Sequence, residues 1–193
     1  AKEIVRAISA EYPFYYANGN HEYRIYREPQ TYGKMGASYR AFLKGNHVRI
    51  LENGSVLLPE YGIRITGLDL PREYYQKLDR AKLEPKAISR MIGHADQNDF
   101  QVLLAHNPVF FDAYAGWGAD LTLSGHIHGG IVRIPGIGGV ISTSYRLFPK
   151  YDGGYYEQNQ KKMIVSRGLG SHTIPVRLFN PAELVVIDLV TEE

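Results

Sequence analysis

The sequence contains no cysteine. Disulfides, thiolate metal sites and a cysteine nucleophile are excluded together. Any metal must be held by His, Asp, Glu or Asn, donors that suit borderline or hard ions such as Zn, Mn or Fe. Charge of one sign is also scarce. The formal net charge is +2 with His neutral, and no stretch gathers Lys and Arg on one face. No nucleic-acid surface is evident from that balance. No run of about 18 apolar residues occurs, so no segment is expected to cross a membrane as a helix. The opening residues "AKEIVRAISAEYP" lack a signal-peptide pattern and read as an amphipathic helix. Repeats, low-complexity tracts and linkers are absent as well, and residues 1–193 are expected to form one domain.

What is present suits a globular α/β protein. The 193 residues are 44% hydrophobic and 22% charged, enough for one sizeable core. The 15 tyrosines are scattered and read as packing residues. Residues Ala1 to Glu11 are expected to be helical, with Ile4, Val5 and Ile8 on one face and Pro13 ending the helix. "FYYAN" reads as a short strand and "GASYRAFLK" as a helix, with Gly45 at its C-cap. "HVRIL" and "SVLLP" read as strands, and Asn53-Gly54 between them is a hairpin signal. "GIRITGLD" is the next strand. The stretch "PREYYQKLDRAKLEPKAISRMIGHA" reads as mostly helical and broken at Pro85. "FQVLLAH" and "WGADLTLS" lead to further strands. From Ile131 onward "GGVIST", "KKMIVSRGLG" and "ELVVIDLV" read as β.

The polar residues fall where these strands end. "FYYAN" leads into Gly19-Asn20-His21, "VLLA" ends at His106, and "LTLS" leads into Gly125-His126-Ile127-His128-Gly129-Gly130. In open α/β sheets ligands gather at the carboxyl ends of strands. Neutral imidazole is a common metal ligand, and an Asn carbonyl oxygen suits a borderline or hard ion. In "GHIHGG" the two histidines stand at i and i+2, which in extended backbone places them on one side of the chain. A lone strand-end histidine is more often structural. The combination of His106 with the later Gly-His-x-His-Gly-Gly and the upstream strand-Gly-Asn-His-Glu points to a metal site.

Gly-Asn-His also occurs at Gly45-Asn46-His47. That copy follows a helix, so Asn46 and His47 read as structural. His94, at the tail of a helical stretch, suits the helix dipole. His172 lies in a loop with no evident partner. Neither is expected to bind metal.

Gly19-Asn20-His21-Glu22, His106 and Gly125-His126-Ile127-His128 resemble the later motifs of the calcineurin-like metallophosphoesterases. "RILENGSVLL" with "GIRITGLD", and "SRGLGSHTIPVRLFNPAELVVIDL", resemble a bacterial branch that includes cell-wall-associated and lipid A-pathway phosphoesterases. The resemblance covers most of the chain. It implies an α/β fold, a four-layer α-β-β-α sandwich, with two divalent metal ions (Mn, Fe or Zn) at the strand ends. It implies that Asn20, His106 and His126 bind one metal and His128 the other. His21 would then be the catalytic residue, beside the metals, acting on the scissile phosphate or its leaving group. The implied reaction is hydrolysis of a phosphate mono- or diester, or a pyrophosphate, by a metal-bridging hydroxide.

The family's early Asp-x-His and Gly-Asp motifs do not occur in this sequence. The expectation is therefore of a domain that lacks its first strands, with Asp69, Asp112 and Asp120 as substitute carboxylates that no spacing supports. A non-catalytic binding or scaffold module of the same fold is the alternative. A structural metal site is a third reading, though such zinc sites are usually closed and contain Cys. The substrate implied is a phosphorylated small molecule or a lipid-linked phosphate, and the location the bacterial cytoplasm or cell envelope. An open sheet edge would favour a homo-oligomer.

Overall fold

The computed structural model describes residues 2–76, 81–130, 132–134, 136–140, 147–170 and 177–190. The first half holds helix α1 (Lys2–Glu11), strand β1 (Tyr15–Tyr16), and helices α2 (Asn20–Arg27), α3 (Pro29–Tyr32) and α4 (Met35–Gly45). Strands β2 (Arg49–Ile50), β3 (Ser55–Leu58) and β4 (Ile63–Leu68) follow, then helix α5 (Pro85–Ile92), β5 (Phe100–Ala105), α6 (Phe111–Trp117) and β6 (Leu121–Ser124). Short strands β7 (Arg133–Ile134) and β8 (Gly138–Gly139) precede the hairpin β9 (Gly154–Gln158) and β10 (Lys161–Val165).

Six strands form a mixed sheet in the order β3-β4-β5-β6-β10-β9. Its four central strands, β4, β5, β6 and β10, run parallel. Parallel strands need covering on both faces, which is why "VLLA" and "LTL" are nearly unbroken apolar runs. Helices α5 and α6 cover one face. There Ile88, Ala113 and Tyr114 pack on Leu68, Leu103 and Ala105, all at most 4% exposed. The expected α/β class holds: a mixed sheet flanked by helices.

The β1–β2 pair makes a separate two-stranded parallel sheet, with Tyr15 opposite Arg49. Its core is Val5, Leu43 and Val48. This overturns the hairpin expected at Asn53-Gly54. Strand β2 pairs with β1, and β3 pairs with β4, so the Asn-Gly turn carries the chain from one sheet to the other. Asn53 adopts φ 47°, and its side-chain oxygen accepts from the Asp69 N–H at 2.8 Å. The two sheets meet at Gly67, where a Cβ would lie 2.0 Å from the Leu51 carbonyl oxygen. Only glycine permits that approach.

Other expectations shift for local reasons. Pro85 begins α5 rather than breaking a helix, because a first-turn proline forfeits no helical hydrogen bond. Of the helical stretch before it, Arg72–Tyr75 is one turn of 3₁₀ helix, and residues 77–80 lie outside the described residues. Gly45 stays inside α4, and the left-handed residue beyond the helix is His47, at φ 56°. The Asn46 amide donates to the Phe42 carbonyl at 2.7 Å, so this Gly-Asn-His copy closes a helix. The segment "ELVVIDLV" is no strand. Leu184, Val186 and Val190 are 72–84% exposed. The end of "GGVIST" and His172 lie outside the described residues.

Candidate metal centre

The carboxyl ends of β4, β5 and β6 lie side by side, since Leu68 is in register with Ala105 and Leu104 with Leu123. Residues just beyond these ends therefore share one crevice. His106 follows β5. The Ser124 hydroxyl donates to the Ala105 carbonyl at 2.6 Å, and the Gly125 N–H donates to the His106 carbonyl at 3.1 Å. These bonds lock the two exits together. The rings of His106 and His126 stand edge to face, centroids 5.4 Å apart.

The Gly19-Asn20-His21 segment reaches the same crevice. Gly19 is the N-cap of α2, and Asn20 and His21 open that helix rather than a loop. The Glu22 carboxylate turns back to accept from the Gly19 N–H at 3.2 Å, completing half of a capping box. A Cβ on Gly19 would lie 3.2 Å from His106 Nε2 and 2.8 Å from the Glu22 carboxylate. The glycine is what lets the helix start sit against the imidazole. The Asn20 carbonyl oxygen is buried and has no hydrogen-bond partner. A buried acceptor left bare is costly in a folded protein, and a cation would satisfy it.

His126 and His128 do not lie in extended backbone, which corrects the period-two picture. Both are left-handed, at φ 68° and 54°. Ile127 between them turns into the core at 4% exposure, while the imidazoles stay part-exposed. Non-glycine residues hold such angles where surrounding structure compels it, often at functional sites. At His128 the backbone is held by Asn180, 2% exposed. Its amide donates to the His128 carbonyl at 2.6 Å and to the Gly130 carbonyl at 2.8 Å. Its oxygen occupies the space a Cβ on Gly129 would need, 2.5 Å away. Asn180 is itself held by Arg177, which donates to the Asn180 carbonyl at 2.8 Å and to those of Arg167 and Gly168 at 3.1 Å each. No spacing rule connects Asn180 to residues fifty positions earlier, so the sequence carried no sign of it.

A second contact missed in sequence lies beside the helix start. Asn18, at 3% exposure, donates to the Asp69 carboxylate at 2.7 Å. Asp69 follows β4, so this bond ties the segment before Gly19 to the main sheet. Burial pushes the Asp69 carboxyl up to about 6, opposed by the hydrogen bond from Asn18. The other two substitute carboxylates stand elsewhere. Asp120 precedes β6, at the opposite end of the sheet, and pairs with Lys161 at 2.7 Å. Asp112 accepts from Gln158 on β9.

Burial lowers His106 to about 4, with His128 and His21 adding positive field. Its imidazole is neutral at pH 7, the form that ligates metals. His21 is exposed, the second residue of α2. Among the described residues no three His, Asp or Glu side chains cluster closely enough to hold a metal ion by themselves. His106 and His126 stand ring to ring, and Asn20, whose side-chain oxygen is orphaned, opens the helix that meets His106 at Gly19, so these three are the candidate donors. A Cβ on Gly168 would lie 4.0 Å from His128 Nδ1, and His128 is near enough to His106 to help lower it.

No family model matches the chain, and no solved structure matches it. Among curated proteins it is similar to the "uncharacterized metallophosphoesterase YkuE" of Bacillus subtilis, 30% identical over 136 residues, 64% of this chain and 47% of that protein. It is 31% identical over 183 residues to the "uncharacterized metallophosphoesterase Cj0846" of Campylobacter jejuni, covering 94% of this chain and 43% of that one. An "uncharacterized metallophosphoesterase" of Helicobacter pylori is 29% identical over 178 residues, 91% of this chain and 42% of its own. The chain thus spans somewhat under half the length of these relatives. With glycine-permitted contact between the Gly-Asn-His helix start and His106, and His106 set against the Gly-His-x-His loop, the chain belongs to the calcineurin-like metallophosphoesterase family.

Proposed function

We propose that the chain carries the phosphoesterase chemistry of its family, hydrolysis of a phosphate mono- or diester. Asn20, His106 and His126 hold one divalent metal ion in this reading, and His128 contributes to a second. The observation that carries it is the buried, unpartnered Asn20 oxygen next to a glycine packed on His106. When bound, divalent ions would polarise the phosphoryl group and make water acidic enough to attack near neutral pH. The chain's own residues do the rest. His106 stays neutral, so a ligand nitrogen needs no proton removed near pH 7. Asn180 holds the backbone at His128 and Gly130. His21, open to solvent, stabilises the phosphoryl oxygens or protonates the leaving oxygen, general-acid help worth roughly 10²–10⁴ in rate.

The test is metal content after dialysis, with hydrolysis of p-nitrophenyl phosphate and its bis ester in Mn²⁺. His126→Ala should lower bound metal. His21→Ala should lower kcat by about 10²–10⁴ at unchanged metal content. His47→Ala should change neither. Loss of metal in His21→Ala would contradict its role, and retention in His126→Ala would contradict the ligand set. The non-catalytic reading is favoured by the lack of three clustered His, Asp or Glu side chains among the described residues. It predicts no turnover at any metal concentration.

A further inference from the structure

Three aromatic rings cluster beyond the ends of β5 and β6. His126 stands edge to face with His106 at 5.4 Å and with Tyr75 at 5.1 Å, at interplanar angles of 68° and 66°. Tyr75 also reaches His106, with ring centroids 6.5 Å apart. Both candidate ligand imidazoles therefore lie against one phenol ring. The hydroxyl end of Tyr75 lies toward the start of α2. Burial raises that hydroxyl, and the Asp69 and Glu22 carboxylates are close enough to raise it further. Each carboxylate already accepts a hydrogen bond, Asp69 from the Asn18 amide at 2.7 Å and Glu22 from the Gly19 N–H at 3.2 Å. Tyr75 thus sits between the two histidines and the segment that carries Asn20.

The phenol is mounted on fixed backbone. Tyr75 ends the 3₁₀ turn Arg72–Tyr75, and the carbonyl of its neighbour Tyr74 accepts from the Asn107 amide at 2.9 Å. Asn107 directly follows His106 and is 5% exposed. Its own carbonyl accepts from the buried Tyr114 hydroxyl at 2.7 Å. The Tyr74 ring adds an edge-to-face contact with Phe110 at 5.5 Å. The turn that presents Tyr75 and the strand exit that presents His106 are thereby tied together. His126 is left-handed at φ 68°, and the bonds from Asn180 fall beyond it, at His128 and Gly130. The rings of Tyr75 and His106 pack on its side chain instead.

An imidazole that is already ordered loses less rotamer freedom when a metal binds. One edge-to-face ring pair is worth roughly two- to tenfold in an equilibrium beyond the area it buries. Resting on the phosphoesterase reading, we infer that Tyr75 is a positioning residue, whose ring holds the His126 and His106 imidazoles in the orientation that receives a divalent cation. It acts through the imidazoles and not on the phosphate. Because both nearby carboxylates are bonded elsewhere, the ring and not the hydroxyl carries this role.

The experiment compares the full chain with Tyr75→Phe, which keeps the ring, and with Tyr75→Leu and Tyr75→Ala, which remove it. Mn²⁺ affinity is read by equilibrium dialysis. Mobility of the His106 and His126 imidazoles is read by ¹³C relaxation in chelator. Tyr75→Phe should match wild type in both. Tyr75→Leu and Tyr75→Ala should weaken Mn²⁺ binding about tenfold and loosen the His126 imidazole in the metal-free protein. Unchanged affinity with equally ordered imidazoles in a folded ring-deleting variant would overturn the proposal. So would a loss in Tyr75→Phe equal to that in Tyr75→Leu. Failure of both ring-deleting variants to fold would overturn it too, by showing that Tyr75 serves the fold. Hydrolysis of p-nitrophenyl phosphate is followed in parallel. Ring-dependent order of the imidazoles, with neither metal binding nor turnover in wild type, would defeat the phosphoesterase reading and leave the ordering of the histidines by Tyr75 standing. Turnover in wild type with imidazoles equally ordered in all four proteins would do the reverse.

Discussion

Asp69 and His106 are both shifted by burial, in opposite directions. The folded state holds the Asp69 proton up to about pH 6, against 3.8 for the ordinary group. Folded protein therefore binds more protons than unfolded chain between those values, and this term lowers stability as pH rises from 4 to 6. His106 works in the other direction. Its folded value is about 4 against 6.5, so the folded state binds fewer protons in that window. This term lowers stability as pH falls from 6.5 to 4. The two terms largely offset in the metal-free protein. Asp69→Asn should expose the His106 term, with a melting temperature that climbs from pH 4 to 6.5 more steeply than in wild type. His106→Gln should expose the Asp69 term, with a melting temperature that drops, relative to wild type, from pH 4 to 6. Thermal unfolding in chelator reads both, and parallel curves for all three proteins would refute the two shifts.

At the scale of elements, the Gly-His-x-His loop depends on a segment distant in sequence. Asn180→Asp keeps the side-chain shape but sets a carboxylate oxygen against the His128 and Gly130 carbonyls, which the amide now bonds at 2.6 and 2.8 Å. Leaving two buried acceptors unmet costs about 1–3 kcal/mol each. The expected outcome is a lower melting temperature and weaker metal binding, recovered in part at high metal concentration. Unchanged metal affinity in equilibrium dialysis would show that Asn180 serves the fold alone. A similar dependence joins the two sheets at Gly67. Gly67→Ala would drive its methyl into the Leu51 carbonyl and should destabilise the protein by about 3 kcal/mol, toward the upper end of overpacking effects. A denaturant midpoint equal to that of wild type would contradict that contact.

At the scale of the whole molecule, β3 and β9 are the outer strands of the main sheet among the described residues. Residues 177–190 are in no strand of these sheets, yet "ELVVIDLV" exposes Leu184, Val186 and Val190. An apolar, β-prone segment of this kind is a template for pairing with another chain. Light scattering should give a mass above the 21.8 kDa of one chain, rising with concentration. Leu184→Lys with Val186→Lys should bring it down. A concentration-independent mass of one chain would end the prediction. Among the described residues no helix is long and apolar enough to cross a membrane.

Local chemistry sufficed for the sequence to mark the strands that bear the site. β5 and β6 are short apolar runs that end in polar residues, a signal readable residue by residue. The missing cysteines limited the donors to His, Asn and carboxylates. Tertiary structure alone decided which strand pairs with which. Asn53-Gly54 has hairpin chemistry, but the register between β1 and β2 outweighs it. The same holds for the left-handed His128, whose carbonyl Asn180 bonds, and for the Asn18–Asp69 bond, which spans 51 positions. Periodicity and turn chemistry act over a few residues. The hydrogen bonds that aim this site join segments about fifty residues apart, and only packing of the folded chain brings their partners together.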